Sequence, residues 1–168
     1  MLISVVIPAY NEAAFLRQTL ERIQHAIKKN NHEGIVWEII VCDNNSSDGT
    51  AVIATEMGAT VTSEPINQIS RARNTGASIA KGDWLLFIDA DSYPTSALMA
   101  ETLDVIRDEQ FVGCGTTVLV EGGTLFNKLR MERLNPLFRL LNWSCGAFLL
   151  VQRDAFEAIG GFSTDLYA

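Results

Sequence analysis

Trp84-Leu85-Leu86-Phe87-Ile88-Asp89-Ala90-Asp91-Ser92-Tyr93-Pro94 runs five apolar residues together, then sets two carboxylates one residue apart, then closes on a proline. A short apolar run without alternation, bounded by Gly82-Asp83 and Pro94, predicts a strand buried on both faces. Such strands belong to sheets covered by helices on both sides. In those sheets ligands sit at the carboxyl ends of the strands. Asp89 and Asp91 fall at that end. If the backbone stays extended there, the period of two aims both carboxylates the same way. Two carboxylates side by side in a cleft suit a divalent cation that prefers oxygen. The alternative is a solvated turn in which Asp91-Ser92 caps the next helix.

Outward from this stretch, helices alternate with strands. Leu2 to Ile7 is an apolar, β-branched strand stopped by Pro8. Ala13 to Lys29 is an amphipathic helix with Leu16, Leu20, Ile23 and Ile27 on one face. Trp37 to Cys42 is a second strand. The turn cluster Asn44-Asn45-Ser46-Ser47-Asp48-Gly49 leads into a short helix, Thr50 to Met57. Ala59 to Ser63 is a third strand. Ile69 to Lys81 is a helix with a face of small residues, Ala72, Gly76 and Ala80, ended by Gly82. After the acidic stretch, a helix runs from Pro94 or Thr95 to Glu109, with Leu98, Thr102, Val105 and Ile106 inward. Val112 to Val120 and Ser144 to Gln152 are strands, and Arg153 to Ile159 is a short helix before Gly160-Gly161. The alternation predicts an α/β sandwich with a largely parallel sheet.

Composition narrows the class. The 168 residues suffice for one domain, and 48% hydrophobic with 20% charged residues is ordinary for a globular chain. A net charge of −7 argues against a nucleic-acid surface. Cys42, Cys114 and Cys145 lie far apart in or beside apolar runs and read as buried thiols in a reducing compartment. No leader pattern opens the chain, and no run reaches the roughly 20 apolar residues of a spanning helix. The expected location is the cytoplasm. The stretch 125–143 combines Lys128, Arg130, Arg133 and Arg139 with a leucine-rich apolar face. It suits either peripheral contact with an anionic membrane or packing on the domain or a dimer partner.

Three strand ends carry chemistry. Pro8-Ala9-Tyr10-Asn11-Glu12 offers a flat ring for a base, Asp43 offers an acceptor for a ring N–H, and Asp89-Ala90-Asp91 offers metal ligands. Each also has an ordinary reading: a loop tyrosine, an Asx-turn aspartate, and for Glu12 an acid in a first helical turn. Arg71 and Arg73 stand within reach of a diphosphate, and Asn74 is placed to cap or brace the loop. His25 and His32 have no metal-ligand company.

These segments carry a resemblance. Ser4 to Glu12, Val41 to Thr50, Ala72-Arg73-Asn74-Thr75-Gly76, Lys81 to Asp91, Gly146-Ala147-Phe148-Leu149 and Phe156 to Phe162 resemble the family 2 glycosyltransferases with the GT-A fold. The resemblance implies a Rossmann-like αβα sandwich that moves a sugar from a nucleoside-diphosphate donor to an acceptor hydroxyl with inversion, aided by Mg²⁺ or Mn²⁺. It implies a glycan, lipid-linked or small-molecule acceptor. It places Pro8, Ala9, Tyr10 and Glu12 at the nucleoside pocket, Asp43 at the base edge, and Arg73 before the Asp-x-Asp motif. Asp91 matches the metal ligand, with Asp89 and Ala90 beside the ribose and metal. The Glu-Asp pair that supplies the family's base is expected beyond Ala168, which reads as a fragment able to bind donor and transfer poorly.

Other readings remain. An Asp-x-Asp phosphohydrolase would place its motif on the first strand. A dinucleotide oxidoreductase would need GxGxxG where Pro8 to Glu12 stands. A scaffold domain would keep the fold without the base.

Overall fold

The computed structural model describes residues 1–30, 32–108, 110–117 and 146–165. The stretch 125–143 lies outside the described residues.

The described elements run β1 (Leu2–Ala9), α1 (Leu16–Lys29), β2 (Val36–Asp43), α2 (Thr50–Glu56), β3 (Thr60–Ser63), α3 (Ile69–Ile79), β4 (Trp84–Ile88), α4 (Ser96–Arg107), β5 (Gly113–Gly115), β6 (Phe148–Gln152) and α5 (Arg153–Ala158). The six strands form one sheet in the order β3-β2-β1-β4-β6-β5. β1 to β4 are parallel neighbours, while β6 runs antiparallel to both β4 and β5. The sheet is therefore largely parallel, as the alternation implies.

The unbroken apolar run of β4 follows from its position, since all five of its residues are buried. Its period of two splits them between two helix layers. Trp84, Leu86 and Ile88 join Ile3, Val5 and Ile7 beneath α1, α2 and α4. Leu85 and Phe87 join Val6 and Ile40 beneath α3 and α5. Each fully buried side chain of this size contributes roughly 1.5–3 kcal/mol, so the sheet is pinned from both sides.

The small face of α3 is also explained. Ala72, Gly76 and Ala77 are buried, and a Cβ added at Gly76 would stand 2.5 Å from Val6 Cγ1. Only a residue without a side chain lets α3 lie this close to β1. Thr95 caps α4 by accepting from the Leu98 N–H at 3.1 Å, one of the two starts expected there.

Several boundaries differ from the sequence expectation. Ala13, Ala14 and Phe15 form a turn rather than the first turn of α1, because the loop is tied across to residues 46–50. α3 stops at Ile79, with Ala80 already extended at φ −65°, ψ 145°. Gly82 is thus no helix cap. It is glycine because a Cβ would meet the Ser4 backbone nitrogen at 2.6 Å, where the chain passes the beginning of β1. Ser4 Oγ accepts from the Gly82 N–H at 2.8 Å, and Arg153 donates to the Gly82 and Ala80 carbonyls at 2.7 and 2.6 Å. The strand expected over Val112 to Val120 is only three residues long within the described part, and Ser144 to Gln152 pairs from Phe148 onward. Among the described residues no helix is long and apolar enough to cross a membrane.

Candidate functional site

Strand order sets the site. β1 sits in the middle, with β2 and β3 on one side and β4 on the other. At such a reversal the connections diverge to opposite layers and leave a crevice beyond the carboxyl ends. A cleft of about 480 Å³ opens there. Pro8, Ala9, Tyr10 and Glu12 line it from the end of β1, and Asp89, Ala90 and Asp91 from the end of β4. Tyr10 is 51% exposed, with its ring available at the mouth.

Asp89-Ala90-Asp91 is a turn and not an extended continuation of β4. The Ser92 N–H donates to the Asp89 carbonyl at 3.0 Å. The period-two argument for parallel carboxylates therefore fails. Three contacts hold the turn instead. Thr19 Oγ1, buried on α1, donates to the Ala90 carbonyl at 2.5 Å. The Asp89 N–H donates to the Ala147 carbonyl at 3.2 Å. Arg73 Nη2 donates to Asp89 Oδ1 at 2.7 Å and to the Gly146 carbonyl at 3.0 Å. The two carboxylates consequently differ. Asp89 is partly buried and ion-paired, whereas Asp91 is exposed toward the cleft.

Glu12 faces this turn. Burial chiefly pushes its carboxyl above the ordinary range, and Asp91, Asp48 and Asp89 push in the same direction. Negative charge is thus concentrated at one end of the cleft. Among the described residues no group of three or more His, Cys, Asp or Glu side chains is arranged to hold a metal on its own. The donor set still fits a hard cation of the Mg²⁺ type, which takes one or two carboxylates and completes its shell with water and phosphate oxygens. Asp91 and the free oxygen of Asp89 are the carboxylates available.

Asp43 ends β2, paired in register with Ala9 of the cleft wall. It does not itself line the cleft. Its backbone carbonyl is occupied by the Glu64 N–H at 2.9 Å, while its Oδ1 is buried and has no hydrogen-bond partner. Buried polar atoms are nearly always paired, so this oxygen is a candidate acceptor for a ligand. Arg73 does not line the cleft either and reaches it only through Asp89. Arg71 is turned aside, with its Nε donating to Gln68 Oε1 at 2.9 Å.

Asn44, in the strand-end run that follows Asp43, also lines the cleft, as do Asn67, Gln68 and Ile69, which were not singled out by the sequence. Asn44 is the organiser. Its buried amide donates to the Glu64 and Ile66 carbonyls at 3.0 and 2.6 Å and accepts from the Gln68 N–H at 3.0 Å. A buried asparagine with both ends satisfied fixes the loop into α3. The other wall is braced by a loop-to-loop clasp. Asn11, in the left-handed region at φ 55°, accepts from the Ser47 N–H at 2.8 Å. The Glu12 and Ala13 N–H groups donate to Thr50 Oγ1 at 2.9 Å and Asp48 Oδ2 at 3.1 Å. The polar run 44–50 is thus structural. Cys42 is no nucleophile, because burial drives its thiol up to about 12.

This geometry defines a class, an α/β sandwich of GT-A architecture with an acidic turn at its switch point. Solved structures share the fold. Staphylococcus aureus TarS in complex with UDP superposes with a TM-score of 0.76 at 19% identity, covering 100% of this chain and 52% of that one. The mannosyltransferase PcManGT from Pyrobaculum calidifontis, in complex with GDP-Man and Mn²⁺, gives a TM-score of 0.71 at 23% identity over 98% of this chain and 48% of that one. The family described as "Glycosyl transferase family 2" matches residues 4–160, and the chain belongs to it. A dolichol-phosphate mannosyltransferase of Pyrococcus furiosus is 29% identical over 96% of this chain and 45% of its own length. Glycosyltransferase AglE of Haloferax volcanii is 30% identical over 98% and 57%. The chain spans about half the length of these curated relatives.

Proposed function

We propose that residues 1–168 form one donor-binding domain of a glycosyltransferase, which holds a nucleoside-diphosphate sugar for inverting transfer to an acceptor hydroxyl. In that transfer the acceptor oxygen bonds to the anomeric carbon as the bond to the diphosphate breaks, and the hydroxyl proton leaves to a base. The observation that carries the reading is a cleft lined by both the Tyr10 ring and the acidic turn with Asp91 exposed. Outside the lining, one strand away and in register with Ala9 of the cleft wall, Asp43 holds a buried oxygen without a hydrogen-bond partner.

Asp43 as acceptor selects a base that carries a ring N–H, which uracil and guanine have and adenine and cytosine lack. Tyr10 supplies a stacking face. Asp91, with the free oxygen of Asp89, is the site proposed for Mg²⁺ or Mn²⁺. When bound, such an ion offsets the negative charge that builds on a leaving diphosphate. Arg73 keeps Asp89 oriented and compensates its charge, so that Asp91 carries the net charge facing the ligand. Relatives named for mannosyl transfer, and structural neighbours holding GDP-Man, UDP and Mn²⁺, support this reading.

The Asp-x-Asp phosphohydrolase fits less well. It needs the first carboxylate as a free nucleophile, and here Asp89 is held by Arg73 at 2.7 Å after the fourth strand.

A thermal-shift panel of nucleoside diphosphates, with and without Mn²⁺, tests the proposal. At a hundredfold excess over Kd a ligand adds about 2.7 kcal/mol, which raises Tm by roughly 5–10 °C for a chain of this size. The expected pattern is Mn²⁺-dependent stabilisation by a uracil or guanine nucleotide, lost in Asp91→Ala. Stabilisation that is indifferent to Mn²⁺ and survives Asp91→Ala contradicts it.

A further inference from the structure

Helix α3 faces two ways. Arg73 reaches the acidic turn, and its neighbour Asn74 reaches the segment after α5. Asn74 Nδ2 donates to the Phe162 carbonyl at 2.9 Å, and Asn74 Oδ1 accepts from the Phe162 N–H at 2.9 Å. One primary amide thus satisfies both backbone groups of one residue, as a neighbouring strand would. The approach is close enough to dictate the preceding residue. Gly161 lies at φ +76°, and a Cβ there would stand 2.7 Å from Asn74 Oδ1.

The clamp aims the Phe162 ring. That ring meets Phe87 edge-on at 4.9 Å and Phe156 at 5.5 Å. Its face covers the Arg73 guanidinium, with Cζ 5.2 Å from the centroid. Arg73 needs that cover. Both of its hydrogen bonds leave from Nη2, toward Asp89 and Gly146, while its Nε is buried with no hydrogen-bond partner. A guanidinium held through one nitrogen is free to pivot unless something blocks its face.

We propose that Asn74 is a positioning residue for the diphosphate end of the cleft. By pinning Phe162 it keeps the ring over Arg73, and so keeps Arg73 on Asp89. The chain of contact is Asn74 to Phe162 to Arg73 to Asp89, and none of the first three lines the cleft. Its binding role rests on the nucleotide reading above. Its structural half, the control of Arg73 by Asn74, does not.

Two measurements on the whole chain test it. The first is NMR of the Arg73 Nε–Hε group without ligand, which reads the ring current of Phe162. The second is the affinity for a Mn²⁺–nucleoside diphosphate beside that for the nucleoside alone. Asn74→Ala removes the clamp, and Phe162→Leu keeps the clamp and removes the ring, so a folding defect in one leaves the other. Both variants are expected to shift the Arg73 signal. Both should weaken diphosphate binding about tenfold (~1.4 kcal/mol) and leave nucleoside binding within about twofold. Phe162→Leu sets the size of the shift that loss of the ring gives, so an Arg73 signal unmoved in Asn74→Ala overturns the proposal, as does equal weakening of the two ligands, which marks a merely structural tie. A wild-type chain that binds neither ligand overturns the nucleotide reading, and the binding role of Asn74 with it, even where the Arg73 signal moves.

Discussion

Replacing Asp43 with asparagine separates stability from binding. The backbone at this position is held independently of the side chain, by the register with Ala9 and by the Glu64 N–H. The side chain instead carries a liability, since its Oδ1 is buried without a hydrogen-bond partner. An unsatisfied buried polar atom costs about 1–3 kcal/mol, and more when charged. Asp43→Asn keeps the shape and removes the charge, so the free chain should melt at the same temperature or a few degrees higher. Binding should move the other way. A ring N–H bonded to a carboxylate is worth about 1.5–3 kcal/mol, against roughly 1 kcal/mol for a neutral pair. The difference of about 0.5–2 kcal/mol predicts a Kd weakened roughly 2- to 30-fold for the preferred nucleoside diphosphate. Isothermal titration calorimetry of the variant with Mn²⁺ and nucleotide reads this, beside a ligand-free melt. An unchanged Kd refutes the base-reading role. A large fall in the ligand-free Tm refutes the claim that the buried oxygen serves a ligand and not the fold.

The remaining predictions concern packing and pH. Gly76→Ala gains about 0.5–1 kcal/mol of helix propensity but drives a methyl into Val6 Cγ1, a stiff side chain with no exposure. Overpacking of this kind costs about 1–3 kcal/mol, so a net Tm loss of a few degrees is expected by calorimetry, and an increase would show that α3 shifts freely on the sheet. The Thr50 hydroxyl chiefly holds the Asp48 carboxyl below its ordinary range. A depressed acid adds stability above its unfolded pKa and loses it as pH falls through the folded one. Melts between about pH 5 and pH 2 should therefore show a shallower acid limb for Asp48→Asn than for the wild type, and identical limbs would remove Asp48 from the loop clasp.

Layering, and the sheet edge at which a cleft opens, were legible in the sequence for a physical reason. The unbroken run Trp84 to Ile88 is possible only where both faces are covered, and both are. The strand-end residues Pro8 to Glu12 and Asp89 to Asp91 converge because parallel strands share an edge. What the sequence concealed came from tertiary contacts. An apolar run such as 144–152 has no direction, so the antiparallel entry of β6 between β4 and β5 was invisible. The bend of Asp89-Ala90-Asp91 comes from Thr19 and Arg73, far away in sequence. Gly82 looks like a helix cap locally and is set by the approach of β1. Asn44 sits in a run of ordinary turn residues, and only the carbonyls of residues 64 and 66 reveal its role. Its tight spacing to Asp43 at a strand end was the one available hint.

The central claim is that the turn Asp89-Ala90-Asp91 receives the phosphate end of a metal-bound nucleotide. Paramagnetic broadening by Mn²⁺ reads this directly in backbone amide spectra of the chain. With a uracil or guanine nucleoside diphosphate present, substoichiometric Mn²⁺ should erase the amide signals of Asp89, Ala90, Asp91 and Glu12 and spare those of a second cleft, which is lined by Glu21, Arg22, His25 and residues 94–96. Broadening that is centred on that second cleft, or that is the same with and without nucleotide, would contradict it.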